Sequence, residues 1–276
     1  MHLNEKQSLI TREIMKVKSV LIFDSGVGGL SVYKEIIQLI PGQHVIYAFD
    51  NAAFPYGELE YDVLISRVCG MVLAVCSTHD VALVVVACNT ASTLVLPYLR
   101  EKLSIPIVGV VPAIKPAAAL SQMKKIGLLA TPATVQRPYT YQLVKKFMRD
   151  CDINMIGSTE LVLMSESKLC GKPVDKRKLQ NILAPFINQV DYIVLGCTHF
   201  PLLKSEIQEI VGDSCTIIDS GKAVACRVAE LLIEESPRAF LYKHRVFSSA
   251  LVNKDSALNQ ELSHMGFSSI ERAPPF

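Results

Sequence analysis

Two cysteines stand where apolar segments give way to polar residues, Cys88 in VVVACNTAS and Cys197 in IVLGCTHF. In open α/β sheets, ligands bind beyond the carboxyl ends of the strands, so both thiols are predicted at a ligand-binding edge. Helix N-termini at that edge would stabilise a thiolate and lower the pKa of each cysteine. Two thiols flanking one bound carbon atom could remove a proton from one face and deliver a proton to the other. That chemistry inverts a stereocentre.

The other six cysteines are predicted to be small core residues. The N-terminal residues lack the apolar segment of a signal peptide, so reduced thiols are expected rather than disulfides. The sequence has no CxxC pair and no histidine spacing typical of zinc ligands, which argues against a metal site. Alkylation is therefore expected at Cys88 and Cys197, with protection by a bound substrate. The residues predicted to be buried are Cys69, Cys76, Cys151, Cys170, Cys215 and Cys226.

The loop 24–29, with the sequence DSGVGG, is predicted to turn from a strand into a helix. Backbone N–H groups in such a loop bind anions such as a carboxylate. Asp24 could cap the helix or act as a charged group in a cleft, and the sequence leaves both open. The loop is not a dinucleotide fingerprint, because Ser31 occupies the third glycine position, and Lys222 lacks the neighbours of a P-loop.

Short apolar segments rich in β-branched residues are predicted to be parallel strands buried on both faces. Amphipathic helices are predicted between them, for example over 31–40, 135–148 and 175–190. This alternation predicts an α/β fold with mainly parallel sheets flanked by helices. The eight predicted strands are 19–23, 45–49, 81–87, 106–110, 126–130, 153–156, 191–195 and 215–218.

The two halves of the chain share one pattern. A strand leads into DSGVGG and a later strand delivers Cys88; likewise a strand leads into ATPAT and a later strand delivers Cys197. Such a repeat predicts two pseudo-symmetric lobes whose strand ends face a shared cleft. Lobe one is predicted to comprise 1–111 and 222–276, and lobe two 112–221. The chain would cross between them at 112–116 and 219–221.

Composition excludes several classes of protein. Half of the 276 residues are hydrophobic and the mean hydropathy is +0.32, as in a compact globular chain. The formal net charge of +2 comes without basic runs, so no nucleic acid partner is predicted. The sequence contains no uninterrupted apolar run of about 20 residues, so no membrane span is predicted. A cytoplasmic location is expected.

Five segments resemble the signature blocks of the glutamate racemase family: LIFDSGVGGLSV, DNAAFPYGE, VVACNTAST, VLGCTHFPLL and IDSG. The resemblance extends over about residues 19–225 and implies a cofactor-independent isomerase that supplies D-glutamate for the bacterial cell wall. It implies that Cys88 and Cys197 are the acid/base thiols, with Asp24, Glu166 and His199 as auxiliary catalytic groups. It also implies a homodimer. The residues implied to bind substrate are Asp24, Ser25, Pro55, Tyr56, Gly57, Asn89, Thr90, Thr198 and His199.

The resemblance implies a direction for each thiol. Cys197, assisted by His199, would remove the α-proton of L-glutamate while Cys88 protonates the opposite face. Two alternatives remain open: a related racemase for aspartate or another small acid, and a binding or regulatory relative without catalysis. The presence of both thiols disfavours the second alternative. Whether a cell-wall precursor activates the enzyme is not readable from the sequence.

Overall fold

The computed structural model describes residues 18–232 and 243–276, which form two parallel sheets flanked by helices. All eight predicted strands are present, and two more follow near the C-terminal end. The segment before residue 18 lies outside the described residues. The strands are β1 (Ser19–Asp24), β2 (Val45–Phe49), β3 (Val81–Val86), β4 (Ile107–Gly109), β5 (Lys125–Ala130), β6 (Asp152–Gly157), β7 (Tyr192–Leu195), β8 (Thr216–Ile218), β9 (Arg245–Ser248) and β10 (Glu271–Arg272).

The helices cover the sheets, with two differences from the predicted ranges. The predicted helix 135–148 is broken at Pro138, because a residue before proline is disfavoured in the α conformation and Arg137 is extended. The predicted helix 175–190 is shorter than expected: it ends at Leu183, and residues 184–189 form turns. The helices are α1 (Leu30–Leu39), α2 (Tyr61–Thr78), α3 (Asn89–Lys102), α4 (Ile114–Leu120), α5 (Pro132–Gln136), α6 (Pro138–Phe147), α7 (Glu160–Leu169), α8 (Lys176–Leu183), α9 (Lys204–Val211), α10 (Gly221–Leu231) and α11 (Ala257–His264).

The predicted repeat is visible in the strand orders. The first sheet contains the order β2-β1-β3-β4 and the second sheet the equivalent order β6-β5-β7-β8. Strands β9 and β10, which follow the second sheet in the chain, extend the first sheet beyond β2. The α/β prediction of two parallel sheets is confirmed. The lobe boundaries 1–111 with 222–276, and 112–221, stay a prediction.

Strand β1 is an uninterrupted apolar run because helices cover both faces of its sheet. Val20 and Ile22 enter one core with α1 and α10, whereas Leu21 and Phe23 enter another core with α2 and α3. The second sheet is likewise packed on two faces by its own helices. These layers hold the carboxyl ends of both sheets rigidly, which is what a site built there requires.

Helix α2 is the long, apolar helix that covers one face of the first sheet. Its 18 residues are long and apolar enough to cross a membrane by length and composition alone. The helix instead packs an apolar face on the first sheet through Leu64, Val68 and Val72, all fully buried. Arg67 on the same helix pairs with the buried Asp50 at the end of β2. Its hydropathy is therefore that of a core helix between sheet and solvent.

Candidate active site

Cys88 and Cys197 lie at the carboxyl ends of strands in different sheets, as predicted. Cys88 follows β3 and directly precedes α3, while Cys197 follows β7. The two residues are 6% and 7% exposed and line one common cavity. The strand order of each sheet thus delivers one thiol to the same small space.

Most of the predicted site residues border that cavity. Of the twelve, Asp24 and Glu166 are not part of its lining; both hydrogen-bond to residues that are. The predicted residues that line the cavity are Ser25, Pro55, Tyr56, Gly57, Cys88, Asn89, Thr90, Cys197, Thr198 and His199. The structure therefore brings these ten residues together from four separate segments of the chain.

Asp24 ends β1 as a fully buried carboxylate. One oxygen accepts hydrogen bonds from the Gly26 N–H at 3.1 Å and the Ser25 hydroxyl at 3.3 Å. The other oxygen accepts from the Thr198 hydroxyl at 2.9 Å, so Asp24 links the two sheets. Burial raises the pKa of Asp24, although His199 and these hydrogen bonds act in the opposite direction. Asp24 also reaches Cys88 through Ser25, whose hydroxyl lies 3.8 Å from the sulfur.

A chain of polar groups extends from the second thiol. The Cys197 sulfur lies 3.8 Å from Nδ1 of His199, and Nε2 of His199 lies 2.8 Å from the Glu166 carboxylate. Burial alone would lower the pKa of His199, but its hydrogen bonds to Cys197 and Glu166 raise that pKa to about 10. At neutral pH the imidazole is therefore protonated and places a positive charge beside Cys197.

Cys88 has a different environment, and the expectation of a lowered pKa is wrong for it. Burial raises the pKa of Cys88 to about 12, and the Asp24 carboxylate acts in the same direction. The Ala91 N–H at the start of α3 lowers the pKa, but by less than burial raises it. Cys88 thus carries its proton at neutral pH, while Cys197 has an imidazolium neighbour.

The glycine loop binds carboxylates, as predicted, but they belong to the protein itself. The Gly26 N–H donates to Asp24, and the Val27 N–H donates to Glu166 at 2.9 Å. Helix α1 begins after Gly29 without a side-chain cap, so Asp24 does not cap it. A Cβ atom on Gly28 would lie 2.4 Å from His199 Nδ1, so glycine is needed for His199 to approach the loop.

A second buried network holds the segment 55–57. The Tyr56 hydroxyl donates to Asp50 at 2.7 Å, and Arg67 forms a bidentate pair with the same carboxylate at 2.6 and 2.7 Å. Tyr56 is 2% exposed, so its buried ring anchors the turn. The neighbouring Gly57 then lines the cavity. Burial would raise the pKa of Asp50, but Arg67 and the other hydrogen bonds hold it below its usual value.

Residues 20–228 match the family described as Asp/Glu/Hydantoin racemase. The chain belongs to this family. It is 56% identical to the glutamate racemase of Aliivibrio fischeri over 255 residues, 92% of this chain and 97% of that protein. It is 54% identical to the glutamate racemase of Vibrio cholerae over 252 residues, 91% of this chain and 95% of the relative.

A solved structure agrees with these relatives. The crystal structure of Escherichia coli glutamate racemase, in complex with L-glutamate and the activator UDP-MurNAc-Ala, matches with a TM-score of 0.89 at 47% identity. The match covers 94% of this chain and 99% of that one. The predicted resemblance to glutamate racemases is confirmed, and so is the two-lobed α/β fold. The roles of the individual site residues stay predictions.

Some residues at this racemase site were not predicted. Thr131 lines the cavity, and its hydroxyl lies 3.4 Å from the hydroxyl of Thr90 in α3, a helix that packs on the first sheet. Its segment ATPAT is the repeat partner of DSGVGG, so the repeat itself could have pointed to Thr131. Phe54, Glu58, Thr159 and Val162 complete the lining. Among the described residues, no group of three or more His, Cys, Asp or Glu could hold a metal ion.

The six other cysteines are not uniformly buried. Cys69 and Cys215 are buried as predicted, Cys76 and Cys151 are partly buried, and the prediction is wrong for Cys170 and Cys226, which are exposed. Both exposed residues lie at or near the solvent side of helices, where cysteine carries no packing role. Selective alkylation of the two site thiols is therefore not expected.

The expected labelling order follows from these exposures. Iodoacetamide should modify Cys170 and Cys226 first without loss of activity, because neither borders the cavity. Inactivation should follow later modification of Cys88 or Cys197, and glutamate should slow it. Timed peptide mass spectrometry with parallel activity assays checks this order. A Cys170→Ser/Cys226→Ser variant that loses its sensitivity to the reagent would contradict it.

Proposed function

We propose that this chain interconverts L-glutamate and D-glutamate by proton transfer at the α-carbon between Cys88 and Cys197. The observation that carries the proposal is that these two thiols, delivered by different sheets, line one buried cavity. The relatives named glutamate racemase support glutamate over aspartate or another small acid. The presence of both thiols also argues against a relative without catalysis. D-glutamate made in this way would supply peptidoglycan synthesis.

The two thiols start in different states in the proposed mechanism. The protonated His199 stabilises a thiolate at Cys197, which takes the α-proton of L-glutamate. Cys88, protonated at neutral pH, gives its proton to the opposite face of the α-carbon. D-glutamate leaves, and the reverse reaction begins with Cys88 as the thiolate. Each turnover transfers one proton to one sulfur and one from the other, so no electron transfer is involved.

Polar groups in the cavity suit an amino acid with two carboxylates. The side-chain oxygen Oδ1 of Asn89 is buried and accepts no hydrogen bond from the described residues, so it can accept one from the substrate ammonium. Backbone N–H groups at the start of α3 and the hydroxyl of Thr90 can donate to a substrate carboxylate, whereas the hydroxyls of Ser25 and Thr198 donate to Asp24. These groups are fixed before reaction, so they stabilise the charge that develops at the α-carbon.

The cavity holds only about 20 Å³ of free space, too little for glutamate. Entry of substrate must therefore separate the two strand edges, and closure would exclude water again. The Asp24 to Thr198 and Val27 to Glu166 hydrogen bonds cross this boundary and would re-form on closure. Opening and closing thus belongs to the proposed catalytic cycle.

The test is conversion without any added cofactor. Purified protein incubated with L-glutamate should accumulate D-glutamate until the two enantiomers are equal, as measured by chiral chromatography. L-aspartate in place of L-glutamate should give a far lower rate. A preparation dialysed against a chelator and free of pyridoxal phosphate should keep its activity. Faster conversion of L-aspartate, or activity restored only by added metal, would contradict the proposal.

We also propose that UDP-MurNAc-Ala, the activator bound to the E. coli enzyme, stimulates this chain. A cavity of about 700 Å³ lies against the crossing segment 112–116 and offers Lys115, Lys222 and Arg227 for a diphosphate. Addition of the activator to the racemisation assay tests this. A cytoplasmic location and a homodimer stay predictions from the sequence and the resemblance.

A further inference from the structure

Arg137 is a buried cation at the boundary between the two sheets. It lies between α5 and α6, within the part of the chain that carries the second sheet, and is 5% exposed. In residues 18–232 and 243–276, no carboxylate forms a salt bridge with its guanidinium. An unpaired buried charge is strongly unfavourable, so its presence points to an anion that forms nearby during function.

The guanidinium contacts the helix that starts at the first thiol. Nη1 of Arg137 donates to the Thr90 carbonyl and, at 2.5 Å, to the Thr93 hydroxyl, both in α3. Cys88 is the N-cap residue of that helix. The guanidinium also lies 5.4 Å from the ring centre of Tyr61, and its Nε is buried without a hydrogen-bond partner. A residue of one lobe thus fixes the start of α3 in the other.

The titratable and charged groups that face Cys88 explain what such a cation can do. Asp24 and the sulfur of Cys197 both oppose a negative charge on Cys88. A thiolate at Cys88 would raise the pKa of Arg137, which burial lowers, so the thiolate and the guanidinium would stabilise each other. Cys197 has the imidazolium of His199, whereas no histidine contacts Cys88 among the described residues. The facing groups, one from each surrounding element, are Asp24, Tyr47, Tyr56, Cys197 and Arg137.

We propose that Arg137 is a positioning residue that fixes the start of α3 and stabilises the Cys88 thiolate when that thiol acts as the base for D-glutamate. The inference rests on the proposed function, because it assigns Arg137 to one of the two proton transfers. It also accounts for the missing carboxylate partner. The partner is a thiolate that exists only in half of the catalytic cycle.

Racemisation itself cannot test this assignment. Its equilibrium constant is unity, so kcat/KM must be the same for both enantiomers in every variant. Elimination removes this constraint, because it is irreversible. With D- or L-3-chloroglutamate, a thiolate takes the α-proton, the C–H electron pair forms the Cα=Cβ bond, and chloride leaves with the Cβ–Cl pair. The enamine product hydrolyses to ammonium and 2-oxoglutarate, which a coupled assay measures.

The experiment combines Arg137 variants with single-thiol variants. In Cys197→Ala protein, Cys88 is the remaining base, and Arg137→Met should lower elimination from the D isomer at pH 8 by about tenfold. The pH profile of that elimination should move upward by about one unit, because a lost positive charge raises the apparent pKa of the base. Arg137→Lys, which keeps the charge, should retain most of the rate. In Cys88→Ala protein, Arg137→Met should lower elimination from the L isomer by less than about threefold.

Three outcomes are informative. Equal losses with both isomers, or an unshifted pH profile, would show that Arg137 only maintains the fold and would overturn the proposal. Failure of the single-thiol variants to prefer one isomer would instead overturn the proposed function, before Arg137 is considered. Arg137→Met is expected to fold, since an apolar residue often replaces a buried charge without loss of stability. If the melting temperature of Arg137→Met is much lower than that of the parent protein, Arg137→Lys and Arg137→Gln can be compared instead, because only the lysine variant keeps the positive charge.

Discussion

Alanine in place of Cys88 is expected to lower glutamate racemisation by at least about 10²- to 10⁴-fold, because a positioned acid or base contributes that much. Removal of the α-proton of L-glutamate should survive, since Cys197 and His199 remain. Cys88→Ala should therefore still eliminate chloride from L-3-chloroglutamate but not from the D isomer. Cys197→Ala should show the opposite preference. The rates of 2-oxoglutarate formation from each isomer measure both effects.

Folding must be checked for these variants, since both thiols are buried. Cys69→Ala is a matched control, because it removes another buried thiol that does not border the cavity. It should keep racemisation within about twofold of the parent protein, as expected for a substitution outside the site. Two results would defeat the two-sided assignment: full racemisation by either variant, or equal elimination from both isomers by both variants.

Arg67→Met is expected to lower the free energy of unfolding by about 3 kcal/mol, because it leaves the Asp50 carboxylate buried without its cation. The side chain of Asp50 is fully buried and that of Arg67 is 30% exposed, which places the loss at the lower end for a broken buried pair. The KM for glutamate should also rise, since Asp50 anchors Tyr56 and the segment 55–57. Urea denaturation and steady-state kinetics measure the two effects.

The loss of stability in Arg67→Met is expected to depend on pH. In the parent protein, folding lowers the pKa of Asp50. The ionised carboxylate therefore stabilises the fold at any pH above its pKa in the unfolded chain, and this stabilisation is lost as the pH falls through its lower pKa in the folded protein. Without Arg67, burial is expected to raise the pKa of Asp50. At low pH the carboxyl group then becomes neutral, and burying it without a cation costs less stability. The loss in free energy of unfolding caused by Arg67→Met should therefore become smaller as the pH is lowered from 8 to 5.

Arg227→Met is the matched control for the same experiment. It breaks an exposed pair with Glu230 and should change stability by less than about 0.5 kcal/mol. A similar effect of the two substitutions would contradict the assignment of the buried network. So would an Arg67→Met deficit that grows as the pH falls.

Apolar periodicity predicted most of the fold. Strands such as β1 and β3 are recognisable because both of their faces are buried, so nearly every position is apolar. The break at Pro138 was a foreseeable exception, since proline restricts the residue before it. The cysteine positions followed from the rule that ligands bind at strand ends.

The electrostatics of the site could not be predicted in the same way. The Val27 N–H meets Glu166 across 139 residues of sequence, and Arg137 reaches Thr90 across 47. Such contacts depend on how two sheets face each other, which no local pattern encodes. The raised pKa of Cys88 is a further case, because a helix N-terminus predicts the reverse and only the depth of burial decides. Exposed Cys170 and Cys226 show that residue type alone does not fix burial.

The placement of β9 beside β2 has a consequence for synthesis on the ribosome. The second sheet is built from strands that follow one another within residues 125–218, so its partners emerge close together. The first sheet cannot be completed as early: its strands β1 to β4 lie within residues 19–109, but β2 also pairs with β9, where Tyr47 meets Val246 about 200 residues later in the chain. Long-range pairing of this kind is slow, and the exposed edge of β2 is open to wrong partners until then. We expect nascent chains stopped before residue 245 to contain a folded second sheet and an incomplete, aggregation-prone first one.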